Sequence, residues 1–227
     1  MSLTLADYWQ NIWSLRDEIW LSCQQTFVMV TIATVVGIIF GTLLGIWLYL
    51  TAKKQIWDNK LINRLVGLPI DFMRAFPFVI LMVAIAPFTL ILVGARIGPL
   101  AASVALSIAS IPYFARLVEQ SLREVPKGVI EAAQAMGASD WTIIFRVLLV
   151  EARAGMVSSI TVLIISILSY SAAAGMIGGG GLGDLAIRYG YYRYQTEVMV
   201  AIVLLLSVIV IFIQSVGNFL ARKLDKR

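Results

Sequence analysis

The most specific pattern in the chain lies in residues 131–150, which begin with Glu-Ala-Ala and have Gly137 four residues after the second Ala. Small side chains at Ala132, Ala133 and Ala135 would let the groove of another protein approach the helix backbone closely. Gly137 supplies a turn that a residue with a Cβ would strain. Residues of this kind support docking of a partner rather than the making or breaking of bonds.

Two short helices are predicted around this pattern. Pro126 suits the first turn of a helix over 127–136 that ends at Gly137, and Ser139 or Asp140 can cap a second helix over 141–149. Apolar residues recur on one face of the second helix, at Ile143, Ile144, Val147 and Leu148. Periodicity alone does not separate a docking surface from an amphipathic connector without a partner, and Glu131 alone could be an ordinary surface carboxylate.

Composition indicates an integral membrane protein. Hydrophobic residues make up 60% of the 227 residues and charged residues 14%, and the mean hydropathy is +0.89. One Cys and no His argue against a disulfide framework and a zinc site, so we expect no metal and no cofactor. We predict one transmembrane domain over 1–227, with no room for an additional ATPase.

Five uncharged stretches could each cross a bilayer as a helix. The first and fourth should span near 27–50 and 156–174, and the third has a composition suited to packing among helices rather than facing lipid. The sequence therefore predicts an all-α, polytopic membrane bundle of five transmembrane helices. The stretches are Ile19–Ala52, Ala75–Ala95, Ile97–Ala115, Ala154–Gly183 and Val198–Ala221.

The segment 1–26 is predicted to be external or interfacial. The first span begins too far from the amino terminus, after acidic residues, and is too long to be a cleavable signal peptide, so we expect it to remain in the mature protein. Large apolar residues recur at helical spacing and suit an interfacial helix with indoles at headgroup depth: Trp9, Ile12, Trp13, Ile19 and Trp20.

The distribution of Lys and Arg predicts an external amino terminus and a cytoplasmic carboxyl terminus. With that topology only four basic residues are external: Arg16, Arg96, Arg188 and Arg193. The other fourteen are internal: Lys53, Lys54, Lys60, Arg64, Arg74, Arg116, Arg123, Lys127, Arg146, Arg153, Arg222, Lys223, Lys226 and Arg227. The net charge of +5 is therefore explained by the basic residues of the internal segments, and no nucleic acid partner is expected.

Residues 126–150 resemble the "EAA" loop of the permease subunits of bacterial ABC importers, and we call them the coupling loop. Three further motifs look like the methionine-type permease subfamily: Phe72–Phe78, Ile111–Glu119 and Gly178–Asp184. One departure is Val150, where the family's loop usually ends in Pro, which removes a stop or kink but not the docking surface.

This resemblance implies a homodimer in the bacterial inner membrane, two separate cytoplasmic ATPases and an extracytoplasmic substrate-binding lipoprotein. The cargo would be methionine, a related amino acid or another small organic solute. The resemblance also implies which residues dock the ATPase: Glu131, Ala132, Ala133, Met136, Gly137, Val147 and Leu149.

Polar residues concentrated in the fourth stretch suggest helix contacts or a substrate path. The candidates for the path are Ser166, Ser169, Tyr170 and Met176, although a Met more often fills irregular packing. None of them is charged, so an amino acid would meet hydroxyls, backbone and water. We expect Arg74 and Arg116 to anchor at the membrane interface rather than to pair with Asp71 and Glu119.

Other function classes fit less well. The segment 178–183 matches G-x-G-x-x-G formally, but it follows a predicted span rather than a strand, and the chain has no P-loop sequence. The glycines suit a flexible or tightly folded external connection. A secondary transporter would need an ionisable group inside the membrane, and an enzyme would need a nucleophile with its base or a metal set.

Overall fold

The computed structural model describes residues 5–225, and every regular element in that range is helical. The predicted internal residues Lys226 and Arg227, and positions 1–4 of the predicted interfacial segment, lie outside the described residues. Two π-helical segments occur, Ile143–Leu148 and Ala186–Tyr191. The α-helices are α1 (Leu5–Ser14), α2 (Arg16–Thr51), α3 (Lys60–Ala75), α4 (Phe78–Ala84), α5 (Ala86–Val93), α6 (Pro99–Arg123), α7 (Lys127–Ala135), α8 (Asp140–Thr142), α9 (Leu149–Glu151), α10 (Arg153–Gly175), α11 (Gly181–Leu185) and α12 (Thr196–Leu224).

The predicted all-α membrane bundle is confirmed. In the described part of the chain, four helices are long and apolar enough to cross a membrane, namely α2, α6, α10 and α12. A fifth crossing exists only if the bent pair α3 and α4 is taken as one span. The interior position expected for the third stretch is also confirmed, since 61% of the residues in the apolar 18-residue segment of α6 are buried, against 11% in that of α12.

The second predicted stretch, Ala75–Ala95, is not one continuous helix. Helix α4 begins after Pro77 and ends before Ile85, and α5 follows at once with Pro87 in its first turn. Proline has no backbone N–H to donate, so Pro77 and Pro87 are accommodated at helix starts, where the N–H has no intrahelical acceptor. Hydropathy reports the apolar content of this stretch but not these two breaks.

Helix α2 runs unbroken through the polar residues that precede the predicted first span. These residues have structural partners, because Gln25 Oε1 accepts a hydrogen bond from the N–H of Gly181 at 2.8 Å and Thr26 Oγ1 accepts one from Leu182 at 2.9 Å. The first N–H groups of a helix have no intrahelical acceptor, so both side chains satisfy the start of α11.

The chain packs as two compact units, and whether 1–227 acts as one domain stays a prediction. The first unit is the described part of Met1–Thr34 with Phe76–Ile108 and Ile164–Phe212. Its core includes Leu182, Leu185 and Val198. The glycine-rich connection in this unit is tightly folded, because a Cβ on Gly183 would collide with the backbone of Ala172.

The second unit comprises Val35–Ala75, Ala109–Leu163 and the described part of Ile213–Arg227, and a glycine seam joins two of its helices. Gly37, Gly41 and Gly45 recur every four residues on α2 and face α6. A Cβ on Gly45 would lie 2.5 Å from the carbonyl oxygen of Ala115, and one on Gly41 would lie 3.0 Å from that of Ile111. Small residues at this spacing let helix backbones approach closely in a membrane.

Ion pairs join α3 to α6 in the second unit, which corrects the expectation that Arg74 and Arg116 serve as interfacial anchors. Arg74 lies 3.8 Å from Asp71 within α3. Arg116 donates to both carboxylate oxygens of Asp71, at 3.0 and 2.6 Å, and to Glu119 at 2.7 Å. Arg123 donates to the other oxygen of Glu119 at 2.6 Å. The side chain of Glu119 is only 7% exposed, so the two arginines supply the countercharge that its burial requires.

We predict that Gly45→Ala destabilises the protein by about 1–3 kcal/mol, because the added methyl group meets a backbone carbonyl that cannot rotate away. The measurement is thermal unfolding of the purified protein in detergent. The matched control is Gly128→Ala in α7, where a Cβ meets open space. That control should be neutral or stabilising by about 0.5–1 kcal/mol, and equal melting temperatures for the two variants would contradict the seam.

Candidate functional site: the coupling loop

Helix α7 has the predicted boundaries. Pro126 precedes its first residue, and at its other end Gly137 takes the left-handed conformation, with φ of +77°. The N–H of Gly137 donates to the carbonyl of Gln134 at 2.9 Å, and that of Ala138 donates to the carbonyl of Ala133 at 3.1 Å. These bonds satisfy carbonyls that the ending helix leaves without a partner.

The exposed face of α7 and the residue that caps its end carry three of the seven predicted docking residues. Glu131, Ala132 and Met136 are exposed, Met136 by 81%. Ala133 is only 4% exposed and lies on the inward face with Ile130. The small residue that can be approached from outside beside Glu131 is therefore Ala132, whereas Ala133 packs within the chain.

The second half of the coupling loop is helical, as predicted, but not uniformly α-helical. Ser139 is the cap, and its hydroxyl accepts a hydrogen bond from the N–H of Thr142 at 3.4 Å. The π-helical segment follows, with Ile143 and Leu148 fully buried. The predicted docking residues Val147 and Leu149 are half-buried, so they offer only part of their surface to a partner.

Two exposed aromatic residues of the coupling loop were missed by sequence reasoning. Trp141 is 62% exposed and Phe145 57%, and their rings stack with centroids 5.9 Å apart and planes 14° apart. Their spacing of four residues on a helix is the signal that could have found them. Exposed aromatic side chains are enriched where one protein binds another.

The coupling loop continues into α10 with little interruption, which gives the departure at Val150 a structural meaning. The N–H of Ala152 donates to the carbonyl of Leu148, and that of Met156 donates to Ala152, each at 2.9 Å. A proline at position 150 would have no backbone N–H to donate. Val150 keeps this donor, so helical hydrogen bonding can continue from the coupling loop towards α10.

The predicted path residues lie in the second half of α10 and just beyond it, within the first unit. Ser169 donates its hydroxyl to the carbonyl of Ile165 in its own helix, at 3.1 Å. The ring of Tyr170 stacks on Phe78 at 5.2 Å. Ser166 is half-buried and Met176 is exposed. The two units are described separately, so these residues and the coupling loop are not assembled into one site.

The model of one protein family, described as binding-protein-dependent transport system inner membrane component, matches residues 37–227. The chain belongs to this family. It is therefore a permease subunit, a transport component of the inner membrane. The matched region contains the whole coupling loop.

Two relatives show how far the similarity of this permease extends. It is 45% identical over the full length of both chains to the probable D-methionine transport system permease protein MetI of Vibrio cholerae. It is 42% identical to the methionine import system permease protein MetP of Bacillus subtilis, over 79% of this chain and 81% of that one.

Solved structures agree with these relatives. The permease matches a chain of the MetNI methionine ABC transporter in an inward-facing conformation with a TM-score of 0.89 and 37% identity, over 96% of this chain and 99% of that one. A chain of an amino acid ABC transporter solved with histidines matches at 20% identity with a TM-score of 0.75, which shows a common fold alone.

We predict that Gly137→Val loosens the turn after α7, because a β-branched residue at this positive φ costs about 1–2 kcal/mol. Amide hydrogen exchange at residues 136–138 should be about tenfold faster than in the wild type. Gly137→Asn is the control, since Asn tolerates the left-handed region and no atom lies near the position a Cβ would take. Equal protection in the two variants would argue against a conformational role for Gly137.

Proposed function

We propose that this permease forms the translocation pathway of an ATP-driven importer for methionine or a related amino acid. ATP hydrolysis resides on separate cytoplasmic ATPase subunits, two copies of the permease form a homodimer, and an extracytoplasmic lipoprotein delivers the substrate. The observation that carries this proposal is the 45% identity, over the full length of both chains, to a permease named for D-methionine transport.

The match to the methionine transporter MetNI supports the same cargo and an assembly with ATPase subunits. The family description, which refers to binding-protein-dependent transport, supports the lipoprotein partner. The stretch that holds the predicted path residues, 166–176, contains no charged side chain. A zwitterionic amino acid would therefore meet hydroxyls and backbone groups without a fixed countercharge, which favours passage over retention.

The coupling loop is the proposed docking surface for the ATPase. Glu131 supplies an exposed carboxylate, Ala132 a position where a partner can approach the backbone, and Met136 an exposed flexible apolar side chain. Closure of the ATPase dimer on ATP would move the loop as a rigid body, and the helices would shift between two discrete packings.

The distribution of positive charge supports an external amino terminus. All four basic residues assigned to the outside lie in the first unit, and the twelve described basic residues assigned to the inside all lie in the second. The three internal segments of the predicted topology therefore fold within one unit. The positive-inside rule then assigns the second unit, with the coupling loop, to the cytoplasmic side.

We predict that proteoliposomes containing the permease with its ATPase, and supplied with the substrate-binding lipoprotein on the opposite side, take up labelled methionine only when ATP is present on the ATPase side. Glu131→Lys and Ala132→Trp should insert normally but abolish most uptake and copurify with little ATPase, because both change the exposed face of α7. If other solutes are taken up with ATP and methionine does not compete with them, methionine is not the cargo.

The matched control for these variants is Asp17→Lys, the same reversal of charge at a side chain that is 91% exposed in the first unit. It should copurify with the ATPase and transport like the wild type. If Glu131→Lys behaves like this control, the ATPase docks on another surface of the permease.

Cysteine labelling tests the orientation, because Cys23 is the only cysteine and can be replaced by Ser. In right-side-out vesicles, a membrane-impermeant maleimide should label Tyr192→Cys at once and label Gln134→Cys only after permeabilisation. Both positions are exposed in the structure. The opposite labelling pattern would invert the proposed topology.

A further inference from the structure

The loop between α2 and α3, residues 52–59, is fixed to the end of α2. The backbone N–H of Trp57 donates to the carbonyl of Leu50 at 3.0 Å, and that of Asn59 donates to Thr51 at 3.1 Å. Both acceptors belong to the last turn of α2, whose carbonyls have no intrahelical donor. The loop therefore moves with the end of α2 rather than independently of it.

One side chain of this loop contacts the coupling loop. The indole Nε1–H of Trp57 donates to Asp140 Oδ2 at 2.8 Å, and its ring meets that of Trp141 edge to face, with centroids 5.8 Å apart and planes 76° apart. A hydrogen bond to a carboxylate is stronger than one between neutral groups, and an edge-to-face pair has a preferred geometry. Trp57 thus fixes both the position and the angle of the segment that begins α8.

Aromatic rings continue on both sides of this contact. Trp47 of α2 lies edge to face against Trp57 at 6.1 Å, and Trp141 stacks on Phe145. We call Trp47, Trp57, Trp141 and Phe145 the aromatic bracket. It extends from α2 to the exposed aromatic surface of the coupling loop, and all four residues lie in the second unit.

A cleft separates another part of the 52–59 loop from α7. Lys54, Gln55 and Ile56 of the 52–59 loop face α7 across a cleft of about 220 Å³, which is lined on the other side by Lys127, Ile130, Glu131 and Gln134. The cleft leaves α7 and the 52–59 loop loosely apposed there. The hydrogen bond from Trp57 to Asp140 therefore connects this loop directly to the coupling loop.

We propose that Trp57 is a positioning residue that makes α2 move with the coupling loop during transport. Hydrogen bonding continues from the coupling loop into α10, so α10 receives the motion of the ATPase through its own backbone. Helix α2 has no backbone continuity with the coupling loop. Besides its packing against α6, it meets the loop directly through the Trp57–Asp140 contact, and we assign to this contact the alignment of the end of α2 with the loop. This inference rests on the proposed function, in which the coupling loop binds the ATPase.

The test is a double-mutant cycle on the permease–ATPase complex in proteoliposomes supplied with the substrate-binding lipoprotein, with Trp57→Phe, Asp140→Ala and the pair. Trp57→Phe keeps an aromatic ring and removes only the N–H donor. Each single variant should still bind the ATPase and hydrolyse ATP but transport about tenfold less methionine per ATP hydrolysed. The pair should be no worse than either single variant, because both remove the same contact.

Trp47→Phe is the matched control, since it makes the same substitution at a neighbouring ring whose contact does not depend on the indole N–H. It should couple like the wild type. Additive losses in the pair, or normal coupling in Trp57→Phe, would overturn the role of Trp57. If Trp57→Phe fails to fold, Asp140→Ala alone decides, because it leaves the rings in place.

The docking role of the coupling loop and the positioning role of Trp57 are tested separately. If Glu131→Lys loses the ATPase while Trp57→Phe couples normally, only the inference about Trp57 is wrong. If Glu131→Lys retains both ATPase binding and uptake, the docking role of the coupling loop is wrong, whatever Trp57 does.

Discussion

The near contact between the backbones of α2 and α6 is the constraint on which the second unit depends. At the seam a single added methyl group meets a carbonyl oxygen, so the helices are as close as glycine permits. Lipid tails provide no hydrophobic driving force between helices, which leaves close packing and polar contacts to hold them together. The seam fixes α6 against α2, and α6 in turn carries Arg116, which binds Asp71 of α3.

The coupling loop combines rigid and exposed features in a way that suits a docking surface. Its inward face is anchored by Ile130, Ala133 and Ile143, while Met136 and Trp141 stand out from it. Buried anchors let a push on the exposed face move the loop as a whole instead of deforming it. The π-helical segment lies between the exposed Trp141 and α10, where irregular helices often mark functional sites.

Sequence reasoning predicted the elements better than their contacts. Charge-free stretches gave four of the spans, and Pro126 with Gly137 gave the limits of α7, because each signal is local. The Trp57–Asp140 contact, the Arg116–Asp71 ion pair and the partners of Gln25 and Thr26 join residues far apart in the chain, and no local period encodes them. The three glycines of the seam stand at intervals of four in the sequence, but this spacing alone does not identify the helix that they face.

The ion pairs around Glu119 differ in how much of the chain they need. Glu119 pairs with Arg116 and Arg123 inside α6 itself, so these pairs can form as soon as that helix is made. The pair between Arg116 and Asp71 crosses from α6 to α3. Because α3 precedes α6 in the chain, this second pair requires both helices to have been made and to have met.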